Sequence, residues 1–543
     1  MKRKAVAAVL TAVMVASMFT GCGSDKGSSS AKSTSAASAA NDTVDEDGKV
    51  NGIMYQEGLP LVDEGAYTFS IFCDDSSESG EFIMLDEFKK QTNVDVDLKI
   101  YPYETATERL NLDLNSGDYA DVIGGWTLSD NAILTYGVNQ GVFIPLEDYF
   151  EKYCPNISAI LDLPGVREKM TAPDGHIYTI PYVCADSTVG YSPYINTKWL
   201  ENVGMSMPTT TDEFEAVLKA FKEQDANGNG DASDEIPFST DPNNKHIEAM
   251  AGYFGLPMNK LGIAIQNEKV VYGGVSDTYR EFLSWFHKLY AEGLVDVELY
   301  TQDSSTWEGK GNQDLYGVSI AYGSGEFTGI PAAEERGDFD SMPVLNTDKD
   351  GIWLRDTEGF SVYRTQAVIT NKAEHPEIIC RWFDNAFALE NGIGCNRGPV
   401  GVIVNKEDDG YHAIDTTTLS EEDQEKYSWG NLWPQSLPKY LPADFEFVEE
   451  HPMYDEKKAT EEAYEANLTK EIIPPYWIDL DKIDTFSDTN TAIKDFFEQQ
   501  QAQFVCGELD IDNDADWQAY VDGMYSLGLE DWVATQGIEE IAK

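Results

Sequence analysis

Tyr67-Thr-Phe-Ser-Ile-Phe-Cys73 opens the stretch that decides the fold. Its apolar and β-favouring residues predict a strand. Glu81 to Gln91 follows as a helix, with Phe82, Leu85 and Phe88 on one face. Val94 to Tyr101 alternates apolar and polar residues, as a strand does. A helix from about Glu104 to Asn115 precedes Gly117-Asp-Tyr-Ala-Asp-Val-Ile123, a turn running into a third strand. Strand, helix, strand, helix, strand requires a parallel sheet with right-handed crossovers, hence an α/β fold. Ligands of such sheets sit beyond the carboxyl ends of the strands. That singles out Asp74 and Asp75 at one strand end, and Gly124, Gly125 and Trp126 at another.

Working outward, a second αβ region starts near Cys184. Pro208-Thr-Thr-Thr-Asp-Glu213 reads as a helix start with a capping box from Thr210 to Glu213. Phe214, Val217, Leu218 and Phe221 then recur at helical spacing. Tyr279, Phe282, Leu283, Phe286 and Leu289 form another helical face, closed by Gly293. Leu315 to Tyr322 and Phe360 to Thr370 read as strands, Pro376 opens a helix, and helices from Thr491 and Asp516 close the chain. No solenoid-type repeat is visible.

The chain of 543 residues carries 38 Lys+Arg against 96 Asp+Glu, a formal charge of −58. The length fits two or three domains or lobes. The charge excludes nucleic acid as a partner, because a phosphate backbone needs a concentrated basic surface. It equally argues against a polybasic contact with anionic lipid. No Walker A, GxSxG, HExxH or dinucleotide-binding glycine pattern occurs. Six cysteines (Cys73, Cys154, Cys184, Cys380, Cys395 and Cys506) are scattered without CxxC spacing and read as small buried hydrophobes, not zinc ligands.

Lys2, Arg3 and Lys4 precede an uncharged run from Ala5 to Phe19, too short to span a bilayer as a helix. The run ends in Phe19-Thr20-Gly21-Cys22, which resembles the lipobox of bacterial lipoproteins, with Phe19 where that pattern usually has Leu. The resemblance implies a signal peptide over 1–21 and a diacylglycerol on the Cys22 thiol. It implies an extracytoplasmic protein anchored to the outer face of the cell membrane. Residues 22–58 then read as a flexible tether, being rich in Ser, Ala, Gly and Asp near its start.

The order of segments is similar to that of the bacterial extracellular solute-binding proteins of carbohydrate ABC importers. Carrying it are Phe82 to Gln91 with its following strand, Gly141-Val-Phe-Ile-Pro-Leu-Glu-Asp148 and Asp174-Gly-His-Ile-Tyr-Thr-Ile-Pro181. Tyr194 to Gly204 running into Pro208 to Glu213, and Phe504 to Trp532, complete the set. The resemblance implies two αβ lobes, each discontinuous, closing on a sugar about a hinge. The boundaries expected are 59–183 plus about 359–428 for one lobe, and 184–358 plus about 429–543 for the other. It further implies permease subunits as partners, and a monomer.

Asp225-Ala-Asn227-Gly-Asn229-Gly230-Asp231-Ala-Ser233-Asp234-Glu235 places oxygen side chains at every second residue. Ca²⁺ takes six to eight oxygens, and Gly230 at the sixth position allows the sharp turn. An EF-hand needs a bidentate Glu at position 12, which here is Ile236. The closing acid must therefore be Asp234, Glu235 or both, with Asp225, Asn227, Asn229 and the Asp231 carbonyl supplying the rest. The loop resembles the calcium loop of alginate-binding members of the family. It predicts a structural Ca²⁺; the bland alternative is a solvated acidic turn.

A sugar site needs flat aromatics with a few acids, amides and an Arg. The candidates are Trp126, Tyr182, Tyr191, Trp307, Tyr322, Trp429 and Trp433, with Asp75, Asp186, Glu326 and Arg397 for hydroxyls. Trp285, Trp382, Trp517 and Trp532 lie in helical patterns and are assigned to the core. One Arg is too little for a polyuronate, so a neutral oligosaccharide is the expected ligand. The competing readings are a secreted glycan hydrolase, which needs only two carboxylates, and a peptide or polymer sensor on the same fold. The expectation is a binding protein without catalytic residues.

Overall fold

The computed structural model describes residues 42–542, apart from 76–80, 242–245, 330–336, 415, 443, 444, 446 and 449–451. Cys22, the signal peptide and residues 22–41 of the expected tether lie outside the described residues.

The opening stretch folds as its pattern requires. Val94–Tyr101 and Val122–Gly124 lie on either side of Tyr67–Asp74, both parallel to it. Ile83–Thr92 and Tyr103–Ser116 form the crossover helices. Each ends on a residue at positive φ, Asn93 and Gly117, as left-handed C-caps demand. Phe360–Ile369 then enters antiparallel to Val122–Gly124 and pairs on its far side with Thr179–Ala185. The first sheet thus runs in the order 94–101, 67–74, 122–124, 360–369, 179–185.

A second, four-stranded sheet is ordered Phe339–Ser341, Ser192–Asn196, Tyr316–Ala321, Ile236–Thr240. The helix Thr211–Glu223 feeds it, and Thr210 caps that helix by accepting from Glu213 N–H at 3.2 Å. The reciprocal half of the expected box is displaced, because the Glu213 carboxylate accepts from Thr209 N and Oγ1, both at 2.8 Å. Asp277–Ala291 buries Tyr279, Phe282, Leu283, Phe286 and Leu289, the face read from spacing. A small sheet returns the chain end to this body, Glu540–Ile541 pairing with Lys269–Tyr272.

Each sheet has its own core. Phe69, Ile71, Trp382, Phe383 and Trp433 fill the first; Phe214, Phe238, Phe286, Trp517 and Trp532 fill the second. These are the two lobes. Three further details depart from the sequence reading. Residues 44–58 are folded rather than free: Lys49–Val50 pairs with Met54–Tyr55, and Val50 and Met54 are buried in the first core. Arg381 secures this hairpin by donating to the carbonyls of Tyr55 (2.5 Å) and Gly58 (2.9 Å). The expected tether is therefore shorter than 22–58. Likewise Trp433 and Leu437 pack in the first core, so the stretch from 429 to about 440 belongs with the first lobe. The helix expected from Thr491 begins earlier and runs over Ile483–Cys506. Its start packs with Leu134 of the first lobe, and Phe497 and Phe504 lie in the second core.

Two links between the sheets run side by side. Asp186 N–H donates to Gly359 O at 3.1 Å and Asp356 N–H to Thr188 O at 3.0 Å. The helix Pro452–Tyr464 braces them: Glu461 accepts from Thr188 N–H at 2.9 Å, and Lys457 Nζ donates to Gly190 O at 2.6 Å and Tyr322 O at 2.7 Å.

Candidate functional site

The strand ends of the first sheet build an aromatic wall. Gly125 makes the turn after Val122–Gly124 at φ +135°, and any Cβ there would collide with the Asp74 carboxylate. That carboxylate, buried at the end of the strand Tyr67–Asp74, accepts from Trp126 N–H at 3.0 Å and Thr127 N–H at 2.5 Å. Trp126 is thereby held outward, 45% exposed. Its ring meets Tyr363 edge-on at 5.3 Å and Tyr182 at 6.5 Å, while Tyr182 and Tyr363 stack at 5.5 Å. Trp429, 54% exposed, extends the wall. Behind it sits Lys439, its ammonium 5.6 Å from the Trp429 ring and 5.7 Å from the Tyr182 ring.

The second lobe answers with Tyr322, directly after its central strand. Tyr191 meets Tyr322 edge-on at 6.1 Å and stacks on His246 at 4.0 Å. Glu326 accepts from Tyr322 N–H at 2.9 Å. Lys457 lies 3.9 Å from the Tyr322 ring centre. Asp186, on the first link, touches both sets: it accepts from Tyr322 Oη through Oδ1 and from Tyr363 Oη through Oδ2, each at 3.0 Å.

The electrostatics follow from crowding. The protein packed around the Asp356 carboxyl pushes it up to about 6 although the residue is exposed, with the Asp186 charge adding to it. The same crowding raises Glu326, which is also exposed, above the usual carboxylate range. The same cause pulls Lys457 and Lys439 down to about 8 each, and Arg397 to about 10. His246 falls to about 3 through burial and the nearby Lys260, so it is neutral at physiological pH.

The structure gathers Trp126, Tyr182, Asp186, Tyr191, Tyr322 and Glu326 about the junction of the lobes. Arg397 belongs to the same region: it lies near Tyr182 and donates to Asn396 O at 3.0 Å. Asp75 is buried below the wall, where it accepts from Gln435 N–H at 2.8 Å. Two candidates are corrected. Trp307 is core: it lies on the helix Ser304–Asn312, packs on Phe327 at 5.6 Å and donates from Nε1 to Ser319 Oγ at 3.1 Å. Its neighbour Gly311 reads as loop but is helical, and its missing Cβ admits the Phe327 carbonyl. Trp433 is core as well, stacked on Trp382 at 5.7 Å and tilted on Phe88 at 5.1 Å. The spacing arguments passed over Tyr363, His246, Lys439, Lys457 and Asp356. Tyr363 sits mid-strand and His246 beside an apolar helix, so only tertiary placement reveals them.

The loop at 225–235 folds around its own oxygens. Asp225 accepts from Gly230 N–H (3.0 Å), Asn227 from Asn229 N–H (3.0 Å), and Asn229 from Asp231 N–H (2.7 Å). Asp231 accepts from Ser233. Asp234 accepts from the amides of Asn227 and Asn229. Glu235 folds back to accept from Ala226 N–H at 2.9 Å, leaving its buried Oε2 without a hydrogen bond among the described residues. Burial raises that carboxyl, and Asp234 adds to it. A hard cation would supply what this oxygen set lacks. Gly230 at φ +96° makes the turn that closes the loop.

Comparison with known proteins gives a consistent result. The bacterial extracellular solute-binding protein family matches residues 76–392. The fructooligosaccharide ABC transporter substrate-binding protein FusA of Streptococcus pneumoniae serotype 4 is 32% identical over 379 residues, covering 67% of this chain and 68% of that one. The structure of FusA from S. pneumoniae in complex with kestose superposes with a TM-score of 0.75 at 26% identity, over 86% of this chain and 98% of that one. An EF-hand mutant of FusA in complex with fructo-nystose gives 0.73 at 26% identity, with the same coverage.

Proposed function

Because the chain belongs to the bacterial extracellular solute-binding proteins, we propose that it is the substrate-binding subunit of an ABC importer and captures an oligosaccharide between its lobes. The observation that carries this reading is the aromatic wall of Trp126, Tyr182 and Tyr363 facing Tyr322 and Tyr191 across one junction. Aromatic faces take the C–H faces of sugar rings, and Asp356, Glu326, Arg397 and Trp429 border the space where hydroxyls would lie. Ligand touching both lobes shifts the population towards a closed form, which docks on the permease.

The ligand in this proposal is neutral and fructan-like. Its supports are the FusA relationship and the carboxylates Asp186, Asp356 and Glu326 at the junction, which disfavour a polyuronate. The loop at 225–235 holds a structural Ca²⁺, with Asp225, Asn227, Asn229, Asp234 and Glu235 as side-chain ligands and the Asp231 carbonyl. Support comes from the EF-hand of FusA and the unpartnered buried Glu235 oxygen. The cation ties Thr211–Glu223 to Ile236–Thr240 and takes no part in ligand capture. Cys22 carries the lipid that holds the monomer at the outer face of the cell membrane. The two lobes are 44–183 with 359–440, and 184–358 with most of the segment after 452.

Thermal unfolding with kestose, an uncharged glucan oligomer and an oligogalacturonate tests this, with chromatography of each glycan afterwards. A rise with kestose and intact kestose is the expected result. A rise with oligogalacturonate alone refutes neutrality, and cleavage of a bound glycan refutes the binding role.

A further inference from the structure

Asp186 was expected to bind sugar hydroxyls, but both of its carboxylate oxygens are already engaged. Oδ1 accepts from Tyr322 Oη and from Ser187 N–H at 2.8 Å; Oδ2 accepts from Tyr363 Oη. The two tyrosines belong to different lobes. Tyr363 lies on the strand Phe360–Ile369 of the first sheet, and Tyr322 follows the strand Tyr316–Ala321 of the second. Asp186 itself stands on the first link, tied to the second through its N–H to Gly359 O and through Thr357 Oγ1, which donates to Ser187 O at 3.0 Å.

We propose that Asp186 is a positioning residue that couples lobe closure to the presentation of the aromatic site, by holding one tyrosine of each lobe from the link on which the lobes turn. This rests on the oligosaccharide-capture reading but assigns Asp186 away from the ligand. Tyr363 is stacked on Tyr182 and abuts Trp126, so its phenol transmits the Asp186 position into the wall of the first lobe. Tyr322 abuts Tyr191, which carries it into the second. A hinge rotation that moves one tyrosine away from the carboxylate breaks a charge-assisted bond. The arrangement with both bonds intact is thereby favoured, and the two ring sets then face each other at a fixed spacing.

The test uses D186N, Y322F, Y363F and the double variant D186N/Y363F in the otherwise intact protein. Kestose affinity is read by calorimetry and the ligand-free shape by small-angle scattering. Losing a bond to a charged acceptor corresponds to about a tenfold to hundredfold loss. D186N is expected to weaken kestose binding by that factor and to raise the ligand-free radius of gyration, at a melting temperature close to wild type. Y363F is expected to reproduce part of both effects, and D186N/Y363F to be no worse than D186N. An unchanged ligand-free radius in D186N overturns the proposal, even where affinity falls, because a direct ligand contact would behave that way. Independent, additive losses in the double variant overturn it as well. Should kestose fail to bind the wild type, the fructan reading falls by itself, and the ligand-free radii of D186N and Y363F still decide the coupling.

Discussion

Lys439→Met isolates the energetics of a buried cation beside the candidate site. Lys439 is 1% exposed, and its ammonium donates to Gln435 Oε1 at 2.7 Å. No ion pair joins it among the described residues. Burial lowers it from 10.5 to about 8. At about 1.4 kcal/mol per tenfold change in proton affinity, keeping the charge costs the folded state roughly 3 kcal/mol. The variant removes that cost but strips Gln435 Oε1 of its donor, a loss of about 1–3 kcal/mol. The two nearly cancel at pH 7, so stability at one pH decides nothing.

The pH dependence does decide. Between about 8 and 10.5 the folded wild type binds fewer protons at Lys439 than the unfolded chain, so its stability rises with pH. The methionine variant lacks this gain, and every other titrating group cancels in the difference. Relative to pH 7, wild type should gain on K439M by roughly 1 kcal/mol at pH 9 and roughly 2–3 kcal/mol at pH 10. Urea unfolding of both proteins at pH 7, 8, 9 and 10 measures it. A difference that stays flat across this range would show that Lys439 is solvated or ion-paired, and the argument from burial would fail.

Calcium at about a hundred times its dissociation constant should stabilise the protein by about 2.7 kcal/mol over its chelated form, and E235Q should abolish most of the response; calorimetry with and without EGTA checks both. Trp126→Ala and Trp429→Ala should each weaken glycan binding by roughly tenfold with little change in melting temperature. Trp307→Ala should instead lose about 3–5 kcal/mol of stability, read by urea unfolding, since its ring fills a core. Asp384 is buried, accepts from Ile157 N–H at 2.8 Å, and is raised to about 6. The folded state therefore takes up its proton before the unfolded chain does, and wild type should gain about 2 kcal/mol on D384N as pH falls from 7 to 4, measured by paired denaturation curves.

Local periodicity carries far in this chain because the crossover units are made of consecutive residues. Phe214, Val217, Leu218 and Phe221 share a buried face since a helix must place them there, and Tyr67 to Ile123 closes three parallel strands by itself. The same reasoning fails where a residue's environment is set by distant chain. Trp307 and Trp433 stand among polar and glycine neighbours that resemble loop, and only their packing on Phe327 and Trp382 buries them. Tyr363 looks like an ordinary strand residue until Asp186, 177 positions away, takes its hydroxyl.

The candidate site therefore divides by physical origin. Trp126 was legible because a strand end, a glycine turn and an aromatic follow one another in sequence. Asp186 was legible as an acid between the lobes, but its role was not, because a lone carboxylate in a link is free to meet either a ligand or its own protein. The structure distinguishes the two by saturation. A carboxylate whose two oxygens already accept from a tyrosine of each lobe gains little from a sugar hydroxyl, whereas breaking either bond releases a ring of the site. Burial works the same way on Lys457, which spends two of its donors on the carbonyls of Gly190 and Tyr322 and so braces the link instead of reaching for a ligand. Polar groups at the junction are thus largely occupied in holding aromatic rings and links in place. Specificity must then come mainly from ring spacing and from the acids left open to solvent, Glu326 and Asp356.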